Sequence, residues 1–428
     1  MKPITTTALA LIMAAAATPA AAQYGSMGSS PPPPQQMPEI PRQQAQPEAA
    51  PQGQQQNKIQ PSKKAMKALI DLQTAVNKND VANIPAKVAA AQAVVETKED
   101  RYLLAQMQLK AALSANNNAG VAAAVDAIVA SGYNSAADNS KLYQSLGATY
   151  MNNKQYAEAA AAFQKAAAAD ATDWRAAALA GEALLAGGQK DQAITAFQRA
   201  VQASTAAGSK PEENLYKRAV SVAYEVQSPT APDLARAWVA AYPSPSSWSD
   251  AIAIYRNYNM GDLEATMDLL RLKRALGILT PGEYSNLARA AAEQLIFGEA
   301  QAVVNEAVAA KKLDPASPDQ RDLVNGLKAK AKPTAADLAA AMKIAANGKA
   351  LMRIGDNYAA MGDYANAVQA YKLAMAKPDG DASLANLHIG MALARSGDKA
   401  GATAALNAVT GARAGIAKYW LTYLAQKA

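Results

Sequence analysis

The sequence predicts an all-α protein, an α-solenoid of antiparallel helical hairpins. Three observations carry that reading. First, a pattern of small and large apolar residues returns at a fixed interval. Tyr143, Leu146, Gly147 and Tyr150 are followed by Tyr156, Ala159, Phe163 and Ala166; thirty-four residues on, Ala177, Ala180, Gly181 and Leu184 precede Ala193, Phe197 and Ala200. The pattern recurs as Ile354, Gly355, Tyr358, Gly362, Tyr364, Ala367, Tyr371 and Ala374. Second, from about Ser62 onward there is no sustained period-two alternation and few β-branched runs, so strands are not expected. Third, helix starts and stops are marked by capping residues. A repeat of this length buries its apolar face only by stacking on its neighbours, which builds a solenoid and, with it, a surface for binding.

The beginning of the chain reads as an address. Lys2 precedes an apolar stretch from Ala8 to Ala17, and Ala20-Ala21-Ala22 supplies a small-residue cleavage site. Residues 1–22 are expected to be a signal peptide cut after Ala22. The chain is then exported, to the periplasm or cell envelope of a Gram-negative-type bacterium. The apolar run is too short to span a bilayer, and no later run reaches the length a spanning helix needs, so no transmembrane segment is expected in the mature chain. There is no cysteine, which excludes a lipid-anchored amino terminus, disulfides, thiol nucleophiles and thiolate metal sites.

Residues 23–64 are rich in proline and glutamine. They hold too few apolar side chains to offset the entropy of ordering, and are expected to be a disordered, partly polyproline tether. A proline-rich ligand for a partner domain is the alternative. Residues 65–139 read as divergent helical hairpins, 140–207 as clear repeats and 208–333 as divergent repeats. Residues 334–428 read as repeats again, with a final amphipathic helix. In that helix Ile416, Tyr419, Trp420, Tyr423 and Leu424 share one side, which suits a cap over the open end of the solenoid. The last repeat, around Ile389, Gly390, Leu393, Gly397, Ala402, Leu406 and Val409, is one residue out of step.

Caps are expected at several places. Thr280-Pro281-Gly282-Glu283 has the spacing of a capping box with proline in the first turn, and Ser317-Pro318-Asp319-Gln320 repeats it. Thr334 with Asp337, and Ser247 with Asp250, have the same spacing. Gly187-Gly188, Gly261, Gly298, Gly362 and Gly397 fall between the two helices of their hairpins, where a left-handed cap favours glycine.

The residues that carry the interval resemble the tetratricopeptide repeat family, in the form of an exported, α-proteobacterial-like member. In that family a large residue, Leu, Gly, Tyr, then Ala, an aromatic and Ala mark the packing of helix A on helix B. Gly147 and Ala159 stand where small residues let the two backbones approach. The central segment 241–279 is similar to segments of exported repeat proteins of α-proteobacteria. The resemblance implies a concave face lined by helix A. The residues it places there include Lys141, Gln144 and Asn152 in one repeat, Arg175 and Glu182 in the next, and Lys349, Met352 and Asp356 in the C-terminal one. The Lys/Asn set that clamps a C-terminal carboxylate in chaperone-binding members is missing. The implied activity is protein–protein interaction through that groove, with other proteins or peptides as partners and no enzymatic role.

Chemistry-bearing constellations are few. His388 is the single histidine, so no multi-histidine metal centre forms, and no G-x-S-x-G elbow, H-E-x-x-H, phosphate loop or dinucleotide fingerprint is present. No catalytic, cofactor-binding or metal-binding residue is assigned, and no cofactor is expected. The formal charge of +7 is small for 428 residues with interspersed signs. Lys328, Lys330 and Lys332 lack stacking aromatics, so nucleic acid is not an expected partner. Two alternatives stay open. One is an accessory factor for envelope polysaccharide assembly or export, using the aromatics Tyr216, Tyr224, Trp238, Tyr242, Trp248, Tyr255 and Tyr258. The other is an α/α-toroid glycan hydrolase or lyase drawing on Glu212 with Glu213 or Asp262 with Glu264.

Overall fold

The computed structural model describes residues 59–208, 210–259 and 262–427. The expected signal peptide with its cleavage at Ala22, and the tether up to residue 58, lie outside the described residues. Those residues hold 21 α-helices, a short 3-10 turn at Gly411–Arg413 and no strand. The chain divides into two compact units, one ending at Val226 and the other beginning at Gln227. The division falls inside the stretch 208–333 that carries no repeat signature.

The first unit comprises α1 (Met66–Asn77), α2 (Ile84–Gln92), α3 (Lys98–Ser114), α4 (Asn118–Ala130), α5 (Ala136–Asn152), α6 (Tyr156–Ala169), α7 (Trp174–Ala186), α8 (Lys190–Ala206) and α9 (Glu213–Glu225). Each helix packs on the next, most extensively in the pairs α5–α6, α7–α8 and α6–α7. The divergent region is helical as well. Asp100, fully buried, accepts backbone N–H bonds from Ser62 at 2.7 Å, Glu96 at 3.1 Å and Thr97 at 3.2 Å. These bonds outweigh the effect of burial and hold its carboxyl below the usual range.

The recurring glycines serve close approach. A Cβ built on Gly147 would stand 2.7–2.9 Å from the ring of Phe163, and one on Gly181 would stand 2.6–3.0 Å from Phe197. In the second unit Gly355 is covered in the same way by Tyr371, and Gly390 by Leu406. Glycine therefore lets helix B lay a large side chain directly on the backbone of helix A. Gly147→Ala must push the Phe163 ring off that surface. It is expected to cost about 1–3 kcal/mol, as overpacking does, read as a lowered urea midpoint.

The second unit comprises α10 (Ala231–Ala241), α11 (Pro245–Tyr258), α12 (Leu263–Ala275), α13 (Pro281–Glu293), α14 (Phe297–Ala309), α15 (Pro318–Lys328), α16 (Ala335–Ile344), α17 (Gly348–Ala360), α18 (Tyr364–Met375), α19 (Ala382–Ser396), α20 (Lys399–Asn407) and α21 (Ala414–Gln426). Consecutive helices pack here too, except α15 on α16, and two further contacts depart from a simple stack. Helix α14 packs on α17, and α21 packs on α10 and α12 as well as on α19 and α20.

The final helix packs on the last hairpin and also folds back onto the first helices of its own unit. The reason is its aromatic content. Tyr419 stacks edge-on to Tyr255 at 5.5 Å and lies 6.2 Å from Trp248, while its hydroxyl donates to Ala251 O at 3.0 Å. Trp248 Nε1 donates to Gln426 Oε1 at 3.2 Å, and Gln426 Nε2 donates to Val239 O at 2.8 Å. The helix starts close against its dock, because Gly415 leaves no room between its backbone and the Tyr255 ring. Several aromatics of the central segment are thus core residues. Trp238, Trp248 and Tyr255 are buried, as is Tyr216 in the first unit.

The capping boxes at Thr280/Glu283 and Thr334/Asp337 form as expected. Two caps are corrected. Ser317 precedes α15 without a side-chain cap bond, and Gln320 instead accepts from Asp314 N at 2.6 Å. Helix α11 starts one turn earlier than Ser247 implies. Ser244 is the cap, Pro245 takes the first turn where no N–H is needed, and Ser247 closes the box. Gly188, Gly362 and Gly397 have left-handed φ of 78°, 81° and 90°. Gly187 does not, and Gly298 lies inside α14 with Leu295 taking the left-handed position at φ 61°. Gly261 lies outside the described residues.

Candidate functional site

In the first unit the groove residues separate into two kinds. Lys141, Asn152 and Arg175 are exposed, with Lys141 3.7 Å from Asp138 and the Arg175 guanidinium 4.7 Å above the Trp174 ring. Gln144 and Glu182 instead join consecutive hairpins. Gln144 Nε2 donates to Asp173 Oδ2 at 2.6 Å, and Glu182 accepts a two-pronged bond from Arg218 on α9, both contacts at 3.1 Å. Arg218 lies in the stretch without a repeat signature, so its spacing carried no sign of this role.

In the second unit Lys349, Met352 and Asp356 line one cleft of about 540 Å³, together with Arg353 and Leu384. The three candidates sit at different depths. Lys349 and Arg353 are exposed and make no ion pair among the described residues. Met352 is buried. Asp356, expected on an open face, is a largely covered member, its side chain 10% exposed, of an ion network that also lines the cleft.

The hub of that network is Arg271 on α12. Its Nε and Nη2 donate to the two oxygens of Glu299 at 2.9 and 2.6 Å. Its Nη1 donates to Asp268 Oδ1 at 3.0 Å, and Nη2 stands 3.5 Å from Asp356 Oδ2. His388 lies between two carboxylates, with Nδ1 2.8 Å from Asp356 Oδ1 and Nε2 3.1 Å from Asp268 Oδ1. Tyr371 donates its hydroxyl to Asp356 Oδ1 at 2.7 Å. Four helices of the unit, α12, α14, α17 and α19, and α18 through Tyr371, are tied at one point.

The electrostatics follow from the geometry. Burial alone would lower the His388 pKa, but the carboxylates of Asp356 and Asp268 outweigh it and push the imidazole up to about 10. Burial works in the opposite sense on Asp356, and the charges of His388 and Arg271 overcome it, bringing that carboxyl down to about 2. Burial pushes the Tyr371 hydroxyl far up, and the adjoining Asp356 adds to this. His388 is therefore an imidazolium with both N–H groups donating, and its 3.4 Å approach to Arg271 Nη1 is a contact between two donors. Each charged partner is held by others.

The carboxylates considered for a glycan-cleaving pair have structural partners. Asp262 caps α12 through Ala265 N at 2.8 Å, and Asp262 and Glu264 both pair with Arg413, at 3.3 and 3.1 Å. Glu213 pairs with Lys217 at 3.1 Å, one turn along α9, and Glu212 stands just before that helix. No cluster able to hold a metal ion occurs among the described residues. No described helix is long and apolar enough to cross a membrane.

Stacked antiparallel helix pairs, with polar side chains tying one pair to the next, define the class as a helical repeat protein. Three stretches of the chain match models of the tetratricopeptide repeat. Residues 140–173 and 348–376 match one model of the tetratricopeptide repeat, and residues 179–203 match a second. No curated protein matches the chain. Among solved structures, it is similar to one titled "Structure of Naa15/Naa10 bound to HypK-THB", at 12% identity and a TM-score of 0.28, over 82% of this chain and 58% of that one. It is also similar to "Crystal Structure of P58(IPK) TPR Domain at 2.5 A", at 15% identity and a TM-score of 0.22, over 78% of this chain and 98% of that one. A third, "Crystal structure of APC/C hetero-tetramer Cut9-Hcn1", is 12% identical with a TM-score of 0.19, over 83% of this chain and 66% of that one.

Proposed function

We propose that this protein is a non-catalytic scaffold that holds a protein partner on its helix-A surfaces and works outside the cytoplasm, in the periplasm or cell envelope. The observation that carries the reading is the cleft of the second unit. Lys349 and Arg353 stand exposed and make no ion pair among the described residues, beside Met352 and Leu384, while the cleft's Asp379 and Asp381 accept from the backbone N–H groups of Gly348 and Leu384. A segment that brings a carboxylate to the two cations and an apolar side chain to Met352 fits this cleft. The extracytoplasmic part rests on the Lys2 and Ala8–Ala22 pattern alone. Of the aromatics named for the polysaccharide reading, Tyr216, Trp238, Trp248 and Tyr255 are buried in packing, and Tyr224, Tyr242 and Tyr258 are half-buried.

The test is capture from envelope extracts by the full chain and by a Lys349→Glu/Arg353→Glu variant. Both positions are exposed, so the variant should fold. Binding is expected to weaken about tenfold or more, the equivalent of about 1.4 kcal/mol. Retention of every partner by the variant would remove the cleft from the account. Reversal of Asp356 is unsuitable as a probe, because it would break the buried network.

A further inference from the structure

A second cavity, of about 220 Å³, lies against Arg271, Asp356 and His388, and helix A of the C-terminal repeat gives it Ala359 and Ala360 in place of Lys349 and Arg353. Its polar wall is unevenly satisfied. Every carboxylate on it is engaged. Glu299 accepts from Arg271 with both oxygens, and Glu306 accepts from Arg274 Nε at 2.7 Å and from the Tyr284 hydroxyl at 3.0 Å. Asp356 accepts from His388 and Tyr371. The donors are not all engaged. Trp420, whose side chain is 1% exposed, forms part of the wall, and its indole N–H has no acceptor. Arg395 makes no ion pair among the described residues; its guanidinium rests 5.3 Å from the Tyr364 ring centre. Arg274 gives Glu306 only its Nε.

A buried donor without an acceptor is costly. A cavity walled by paired acceptors and open donors is complementary to an acceptor that carries negative charge. Met391, Ala392 and Trp420 supply apolar wall beside those donors. The volume lies below the roughly 300 Å³ at which pockets for drug-sized ligands begin, which favours a compact molecule over a peptide.

We infer that this cavity is a binding site for a small carboxylate, held by Arg395 and Arg274 beside the Trp420 indole ring. The site shares Arg271, Asp356 and His388 with the Lys349/Arg353 cleft but engages its ligand through other residues, and does not depend on that cleft's role.

The experiment uses the full chain with nitrogen-labelled tryptophan. Its four tryptophans give four indole N–H resonances. Acetate, succinate and citrate are titrated against sodium chloride at matched ionic strength, with inorganic phosphate as the competing oxyanion. The expected result is a saturable shift of the Trp420 resonance, with a rise in Tm, for at least one carboxylate. Binding should be about tenfold weaker in Arg395→Gln, which alters an exposed residue and leaves the core intact. The melting shift does not depend on the resonance assignment, so it stands if Trp420→Phe, used to assign the peak, fails to fold. Three results would overturn the proposal: no saturable response to any carboxylate, a response matched by chloride or phosphate alone, or an unchanged response in Arg395→Gln.

Discussion

Replacing Arg271 with methionine is expected to destabilise the second unit by about 3–5 kcal/mol, the cost of removing one partner from a buried ion cluster. The guanidinium compensates three carboxylates, the buried Asp268 and Glu299 and the largely covered Asp356. Without it, Glu299 loses both its bonds and His388 is the one positive charge left within ion-pair distance of the other two. Lysine should recover little of the loss, because a point charge cannot reproduce the two-pronged bond to Glu299. Trp238, Trp248 and Trp420 lie in the second unit and only Trp174 in the first, so tryptophan fluorescence in urea reports mainly the unit at issue. A loss below about 1 kcal/mol, the range of exposed ion pairs, would mean that the cluster is solvated and its members replaceable.

The second large effect is on pH dependence. His388 is raised from 6.5 to about 10 by its carboxylate partners, against the opposing effect of burial. A raised folded-state pKa contributes stability that is complete below 6.5 and is lost as pH rises through about 10. Asp356 is lowered from 3.8 to about 2, so its contribution is complete above 3.8 and is lost as pH falls through about 2. The second unit should therefore be most stable between these limits. Above neutrality its stability should decline with a slope approaching about 1.4 kcal/mol per pH unit, the limit for one proton. His388→Gln should be less stable at neutral pH and should lack that alkaline slope. A wild-type profile that stays flat up to pH values near 10 would contradict the assignment of an imidazolium between Asp356 and Asp268.

The parts of this structure that sequence makes legible are those written as local pairs. Gly147 and Phe163, Gly181 and Phe197, and Gly355 and Tyr371 recur at one spacing, because a ring can lie on a backbone only where the facing residue is small. The ion network was hidden for the converse reason. Its members sit at 268, 271, 299, 356, 371 and 388, and nothing local links them. One signal was available in Met267–Lys273. In that run Asp268 and Lys273 are buried among Met267, Leu269, Leu270 and Leu272. A helix buried on nearly all sides must pair its charges with other helices. The fold-back of Ala414–Gln426 was hidden in the same way. An apolar helix face shows that something covers it, but its partners Val239, Ala251 and Ala275 are reached through backbone carbonyls, which carry no sequence identity.

Groove positions transferred from the repeat pattern met the same limit. The pattern tells which residues face inward from helix A, and Lys349, Met352 and Asp356 do line one cleft. Whether such a residue stays open or is taken up in a contact depends on the neighbouring helix. Glu182 meets Arg218, and Asp356 meets His388 and Arg271, whereas Lys349 and Arg353 meet neither.

The scaffold account is tested most directly by a photo-activated cross-linking amino acid placed at Arg353 in the full chain, in the cells that make it. Arg321, exposed elsewhere in the same unit, is the control position. The account predicts a discrete protein adduct from position 353, lost when Lys349→Glu is added, and none from position 321. No adduct from position 353, or the same adducts from both positions, would contradict it.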